Sequence, residues 1–284
     1  MADKWYTAAS GNWSTAANWN GGTKPIAGDD VYADGKTVTV DEDFSVASIN
    51  TTQRSGGTTG GTFQITTLAS GTRALTCNVV AGSDNCLRIT GGTAGATISV
   101  TGNFTGSSSA RGMWWTGGSC HLTVTGNLQG GAVSPGHAIN FSAGSPGTVT
   151  INGTVTAGAG GNGISGGPTT LVINGDVYGS TAAGITIGTT TTTTTINGIC
   201  YSSNNSSDFA GFAISSNSQN TTTVSEVVSR GSGVMPISGR NFRFKTTGTR
   251  RFTVIDTTGS NLALEPVSGS SGIPIARGMH GGMR

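Results

Sequence analysis

The residues able to do acid–base, nucleophilic or metal chemistry are few and far apart. From 112 to 207 the only charged side chain is Asp176. Glycoside hydrolysis commonly takes two carboxyl groups about 5 to 9.5 Å apart, and Asp176 has no acidic residue near it in sequence to complete such a pair. The three histidines, His121, His137 and His280, are separated from one another. His121 directly precedes a strand-like run and His137 stands before Phe141, so packed or surface roles are expected of both. His280, in Arg277-Gly-Met-His-Gly-Gly-Met-Arg284, lacks a second strong metal ligand. Cys77, Cys86, Cys120 and Cys200 show no C-x-x-C spacing, which points to buried thiols rather than a disulfide or metal site. Gly158-Ala-Gly-Gly-Asn-Gly163 matches G-x-G-x-x-G by letter, but no helix-forming run follows to receive a phosphate. No catalytic residue, cofactor or metal is expected.

The elements that must carry these residues are short strands and turns. Gly supplies 48 of the 284 residues, against 15 basic and 13 acidic ones, and 34% of the chain is apolar. Disorder would need low hydrophobicity with high net charge, whereas the net charge here is +2. Gly and Thr without helix formers favour strands joined by tight turns. No stretch shows a 3.6-residue apolar period, and none approaches 18 consecutive apolar residues, so neither helix nor membrane span is expected. The opening Met1-Ala2-Asp3-Lys4-Trp5-Tyr6 has no apolar run behind a basic start, so a secretory signal is not expected either.

The strands repeat. Val100-Thr-Gly-Asn-Phe104, Val124-Thr-Gly-Asn-Leu128, Ile151-Asn-Gly-Thr-Val155, Ile173-Asn-Gly-Asp-Val177 and Ile196-Asn-Gly-Ile-Cys200 share one pattern. Leu75-Thr-Cys-Asn-Val79 precedes them and Val224-Ser-Glu-Val-Val228 is a degenerate last copy. The first positions are 25, 24, 27, 22, 23 and 28 residues apart. A second column, Ile89, Trp115, Phe141, Ile164, Ile187 and Ile214, drifts with the first at spacings of 26, 26, 23, 23 and 27. Strand-and-turn repeats of this length predict a right-handed parallel β-helix, because propeller blades are longer and leucine-rich repeats need a Leu/Asn frame. Period-two alternation turns the first and fifth residues of each copy inward. The central Gly is then expected at a corner where a Cβ would strike a neighbouring coil.

The ends differ from the middle. Residues 1–43 hold seven acids and three bases, a net of −4, and are expected to form an N-terminal cap and first coil. Trp5, Trp13 and Trp19, with Asp29 and Asp30, are the candidate cap residues, covering strand edges that would otherwise be open. Carbohydrate stacking is the competing role for the indoles. Residues 44–229, the helix proper, hold four acids and four bases. Residues 230–284 hold eight bases and two acids, a net of +6, and leave the repeat: Arg240-Asn-Phe-Arg-Phe-Lys245 and Arg250-Arg-Phe-Thr-Val-Ile255 alternate like antiparallel strands, and Ile273 to Arg284 reads as a tail. Arg240, Phe242, Arg243, Phe244, Lys245, Arg250 and Arg251 are the candidate docking residues there, for an acidic partner surface ahead of nucleic acid.

The run Trp5…Gly11-Asn-Trp13-Ser…Asn18-Trp19…Pro25…Gly28-Asp-Asp-Val31, followed by Thr37-Val-Thr-Val-Asp41, resembles the opening of parallel β-helix proteins among bacteriophage virion proteins and bacterial surface adhesins. The resemblance covers about the first 50 residues and extends to the repeats only in style. It implies a β-helix whose Gly-Asp-Asp-Val turn leads into the first coil, a virion location and, by analogy, a homotrimer. The expected function is a non-enzymatic virion structural protein, a capsid decoration (head fibre) or tail-fibre shaft with an adhesive role. Its partners would be copies of itself, capsid or tail components, and a host-surface glycan. A bacterial surface adhesin is the first alternative. A polysaccharide-degrading tailspike is the second, disfavoured by the lack of carboxylate pairs.

Overall fold

The computed structural model describes residues 2–201 apart from 109, 135, 143–145, 181 and 188–192, and beyond them the strands at 214–215, 221–228, 237–238, 242–246 and 263–266. Among the described residues the only helical segments are two 3-10 turns, Ala16–Asn18 and Asn20–Gly22. No helix among the described residues is long and apolar enough to cross a membrane. Among the described residues every strand-to-strand ladder is parallel, and the chain is a β-helix.

Each coil supplies three strands, here faces one, two and three in chain order. In one coil they are His121–Thr125, Leu128–Gln129 and Ile139–Phe141. Faces one and two belong to one continuous sheet, joined through the long bent strands Gly71–Val80 and Thr193–Tyr201. Face three is a separate ten-stranded sheet, which at about 4.8 Å per strand makes a stack on the order of 45 Å long.

Side-chain columns run along the stack. On face one, Phe44, Leu75, Val100, Val124, Ile151, Ile173, Ile196 and Val224 stand opposite one another in turn. On face two, Val31, Ile49, Val79, Phe104, Leu128, Val155, Val177 and Cys200 do the same. Apart from Phe44, which packs against the core from its edge, these side chains are buried. Burying one such side chain stabilises by about 1.5–3 kcal/mol. One rung holds only a handful, so stability accumulates by stacking rung on rung.

The glycines explain why the strand can bend between faces one and two. A Cβ on Gly126 would overlap the carbonyl of Gly102, one on Gly153 that of Gly126, one on Gly175 that of Gly153, and one on Gly198 that of Gly175. Gly102 and Gly126 also hold φ of +148° and +152°, which other residues rarely adopt. Gly153 and Gly175 are held by close approach alone. The first member of the corner is Cys77, which carries a side chain because the rung beneath has an extra residue there. Ser45 pairs with Thr76 and Ser48 with Asn78, so two residues oppose one. At the far end the corner residue is missing, since Ile196 pairs with Val224 but Ile199 with Glu226.

Four expectations need correction. The Gly28-Asp-Asp-Val31 turn leads into the second rung, because Asp3–Trp5 already pairs with Asp30–Tyr32. On face three, Ile164 stands opposite Ile139 and not Phe141, and Ile185, not Ile187, links Ile164 to Ile214. A slip of two residues keeps the inward parity, so alternation alone could not detect it. The partner of Cys200 is Val227, not Val228, because of the missing corner residue. Finally, Phe242–Thr246 is not antiparallel: it pairs in parallel with Thr221–Val228 and with Ala263–Pro266. Alternation reports a one-sided strand, not its direction.

If close approach at the corner is what demands glycine, Gly126→Val, Gly153→Val and Gly175→Val should each destabilise by about 3 kcal/mol or more. Denaturant melts would measure this. Gly153→Val and Gly175→Val are the decisive variants because they carry no penalty from a positive φ, and three melting points within a degree or two of the parent would contradict the assignment.

Candidate functional sites

At the N-terminal end, Phe44 opens the face-one column. Trp13 stacks on it at 4.0 Å between ring centroids and 11° between planes, in the place of a rung beneath. Trp19 meets Trp13 edge-on at 4.8 Å and Tyr6 meets Trp19 at 5.0 Å. The Trp19 Nε1–H donates to the Trp13 carbonyl at 2.9 Å. Both indoles are 1% exposed, so neither offers a free face to a sugar. Trp5 differs: it is half-buried beneath the Arg54 guanidinium, 4.1 Å from its ring, and Arg54 is ion-paired to Asp34 at 3.0 Å. The Asp29 carboxylate accepts from the Ile26 N–H at 3.0 Å, and its carbonyl accepts from Ala47 N–H at 2.9 Å. Asp30 accepts from the Ser48 hydroxyl.

Asp176 belongs to a ladder on the glycine corner. The residue after most corner positions turns a side-chain oxygen toward the next rung: Asn78 Oδ1 accepts from Asn103 N–H at 3.0 Å, Asn103 Oδ1 from Asn127 N–H at 2.8 Å, and Asn127 Oδ1 from Thr154 N–H at 2.9 Å, whereas the Thr154 hydroxyl donates back to Asn127 Oδ1 at 2.9 Å. Asp176 Oδ1 accepts from Ile199 N–H at 2.8 Å, and its Oδ2 from the Tyr178 hydroxyl at 3.2 Å. Both carboxylate oxygens are therefore engaged in holding the corner.

A second ladder precedes face three. Asn85 Oδ1 accepts from Arg111 N–H at 2.9 Å, and His137 Nδ1 from Asn162 N–H at 3.0 Å. Burial, then the nearby Arg111 charge, pulls the His137 imidazole down to about 4, so it is neutral and its Nδ1 is a lone-pair acceptor. His121 Nδ1 accepts from Thr148 N–H in the same manner at 2.9 Å. All four cysteines are free and buried, with burial pushing the Cys77 thiol up to about 12 and Cys200 higher still. Among the described residues no three metal-ligating side chains cluster.

The sequence reading missed a place on the outside of the shaft where two arginines meet one aromatic ring. Outward residues on face three form a row, with Gln64, Arg88, Trp114 and Asn140 on consecutive rungs. The Arg88 guanidinium lies 4.8 Å from the Trp114 ring and that of Arg111 5.3 Å. The Trp114 Nε1–H donates to Ser142 Oγ at 2.6 Å, which fixes the ring. Beside them a groove of about 280 Å³ is lined by Gly35, Thr37, Gly61, Thr62, Asp84, Asn85, Arg88 and Trp114. The signal was present in sequence: Arg88 and Trp114 are 26 residues apart, one rung. It was overlooked because Trp114 sits beside Trp115, which is buried in the core.

Of the candidate docking residues, Arg240, Arg250 and Arg251 lie outside the described residues. Phe242, Arg243, Phe244 and Lys245 lie on a strand of the stack, with Phe244 opposite Val224 and Leu264, in the register of the face-one core column. Lys245 stands opposite Glu265.

No protein-family model, curated protein or solved structure matches the chain.

Two outcomes follow from the ladders. Asp176→Asn keeps the Oδ1 acceptor and should leave stability within about 0.5 kcal/mol, whereas Asp176→Ala orphans the Ile199 N–H and should cost about 1–2 kcal/mol in denaturant melts. His137 gains a proton more readily unfolded, near its ordinary value of about 6.5, than folded, near about 4. Its contribution is thus complete above about 6.5 and is lost as pH falls toward about 4. His137→Asn supplies an acceptor that does not titrate, so melting temperature against pH should fall less steeply through that window in the variant; parallel curves would contradict the assignment.

Proposed function

We propose that the protein is a non-enzymatic structural component of a bacteriophage virion, a head-fibre or tail-fibre shaft that assembles as a homotrimer. The observation that carries this reading is the parallel stack, a rod whose middle coils are almost free of charge. Between 112 and 207 the single charged side chain, Asp176, is held by Ile199 and Tyr178 in the corner ladder, a structural use of the carboxylate and not an acid–base one. A rod coated in Thr, Ser and Asn can stand in solvent or lie against sister rods without the cost of desolvating charge.

Charge is left to the ends, at −4 over residues 1–43 and +6 over residues 230–284. The basic end is the proposed anchor on an acidic capsid or tail surface, with Arg240, Arg243, Lys245, Arg250 and Arg251 steering the encounter. Exposed charge contacts are each worth about 0–1 kcal/mol, so they set rate and orientation more than affinity. The placement of Phe244 in the core register shifts the apolar part of that contact toward other residues of the segment. A fibre on a bacterial surface is the second reading, favoured by the arginine–tryptophan groove on the shaft, which suits adhesion as well as scaffolding.

The test is mass spectrometry of purified particles from the source culture, with the chain expected in constant stoichiometry to the major capsid or tail protein. Its recovery in cell-envelope fractions and not in particles would move the assignment to the adhesin. Changing the five basic residues to Gln should slow rebinding to stripped particles about tenfold or more at low salt, with the difference shrinking as salt rises.

A further inference from the structure

The groove beside Trp114 combines features that packing of the shaft does not need. The Arg88 guanidinium has no hydrogen-bond or ion-pair partner among the described residues and lies against the Trp114 ring; its Nε is buried without a partner, as are those of Arg54, Arg73 and Arg111. Elsewhere the shaft's arginines are matched with carboxylates, Arg54 with Asp34 and Arg73 with Asp43. The Arg88 and Arg111 guanidiniums thus have no carboxylate ion-paired to them among the described residues, unlike those of Arg54 and Arg73. A desolvated guanidinium presents a planar fork of donors suited to a carboxylate.

We infer that this groove binds an acidic oligosaccharide, with the carboxylate of a sugar acid on Arg88 and the sugar ring beside Trp114. Thr37 and Thr62 supply hydroxyls to the groove wall, and Asn85 supplies a carboxamide. Asp84 is also in the wall, one oxygen taking the Gly61 N–H at 2.9 Å. Its other oxygen is an acceptor for sugar hydroxyls. A negative group in the wall works against a polyphosphate or nucleic acid, whose charges would crowd it, but not against a sugar that offers many hydroxyls and a single carboxylate. Gly35 and Gly61 leave the floor without side chains, so a ring can lie against backbone. The indole is fixed through Ser142 and its ring is electron-rich, which suits the C–H face of a sugar. Most of the lining comes from three successive rungs of face three and the turns before them, so the site exists only in the stacked state.

This inference deepens the adhesive side of the proposed function and does not depend on which particle carries the protein. A chain that co-purifies with particles but fails the experiment below remains a shaft without this site. The full chain is titrated with tetragalacturonate while tryptophan fluorescence is followed. Parallel titrations use its methyl ester, uncharged maltotetraose and glycerol phosphate. Saturable binding of tetragalacturonate is expected, at least tenfold tighter than any of the other three. Arg88→Gln should weaken it about tenfold or more without moving the melting temperature. Arg88→Lys keeps the stem and the charge but loses the fork, and should recover only part of the affinity. That variant separates recognition from packing if Arg88→Gln proves unstable. No saturable binding by tetragalacturonate up to roughly 10 mM, the weak edge of specific affinity, overturns the proposal. So does equal binding of the ester, or full affinity in a folded Arg88→Gln protein. Tighter binding of glycerol phosphate than of the sugar acid would reassign the site to phosphate-bearing polymers and overturn the carboxylate assignment.

Discussion

Successive rungs are held at one hydrogen-bonding distance, about 4.8 Å, and every feature of the molecule has to fit within that spacing. On the flat faces the fit is easy, because stacked Val, Ile and Leu side chains fill the space between rungs. At the bend between faces one and two it is not. There the backbone of each rung rests on the carbonyl of the one before, and no side chain fits between Gly102, Gly126, Gly153, Gly175 and Gly198. The bend also interrupts the regular backbone ladder, and the amides it frees are met by Asn78, Asn103, Asn127 and Asp176. The glycine and the residue after it are thus two halves of one solution. One allows the close approach, and the other satisfies the polar groups that the approach leaves over.

Parallel stacking also sets where chemistry can be placed. A side chain pointing outward has as neighbours the residues one rung away, some 18 to 31 positions distant in sequence. Sites on such a protein are therefore read across repeats and not along them. The pairing of Arg88 with Trp114 illustrates this, as does the pairing of His121 with the Thr148 amide. Charge is kept away from the middle of the shaft, and on the early coils Arg54 and Arg73 are each set against a carboxylate, which the arginines of the groove are not.

Much of the fold was legible in the sequence. The face-one column from Leu75 to Val224 appears in the structure residue for residue, since a strict motif around a required glycine admits only one alignment. Face three carries no such motif. Its register past Phe141 depended on alternation, and Ile139 and Phe141 share a parity, so the wrong one was chosen. The parallel direction of Phe242–Thr246 was hidden for a related reason, because alternation in one strand holds no information about its partner. The roles of Asn and Asp after the glycines were visible as a pattern. Their bonds to the next rung were not, because a ladder along the axis has no counterpart in the spacing of one repeat. The groove was the least legible feature, since its residues come from separate turns and rungs.

The buried thiols give the stack an internal record of its own opening. Cys77 lies at the start of the glycine corner and Cys200 in the face-two column several rungs later. Both are fully enclosed, and burial holds each in its protonated, unreactive form. Neither can meet an alkylating reagent until the rungs around it part. In a linear array each rung depends mainly on its two neighbours, so separation can begin at one end without involving the other. The two sulfurs then act as separate clocks, one for each part of the rod. The ratio of their labelling rates reports the direction from which the rod comes apart, a property that a single melting temperature averages away.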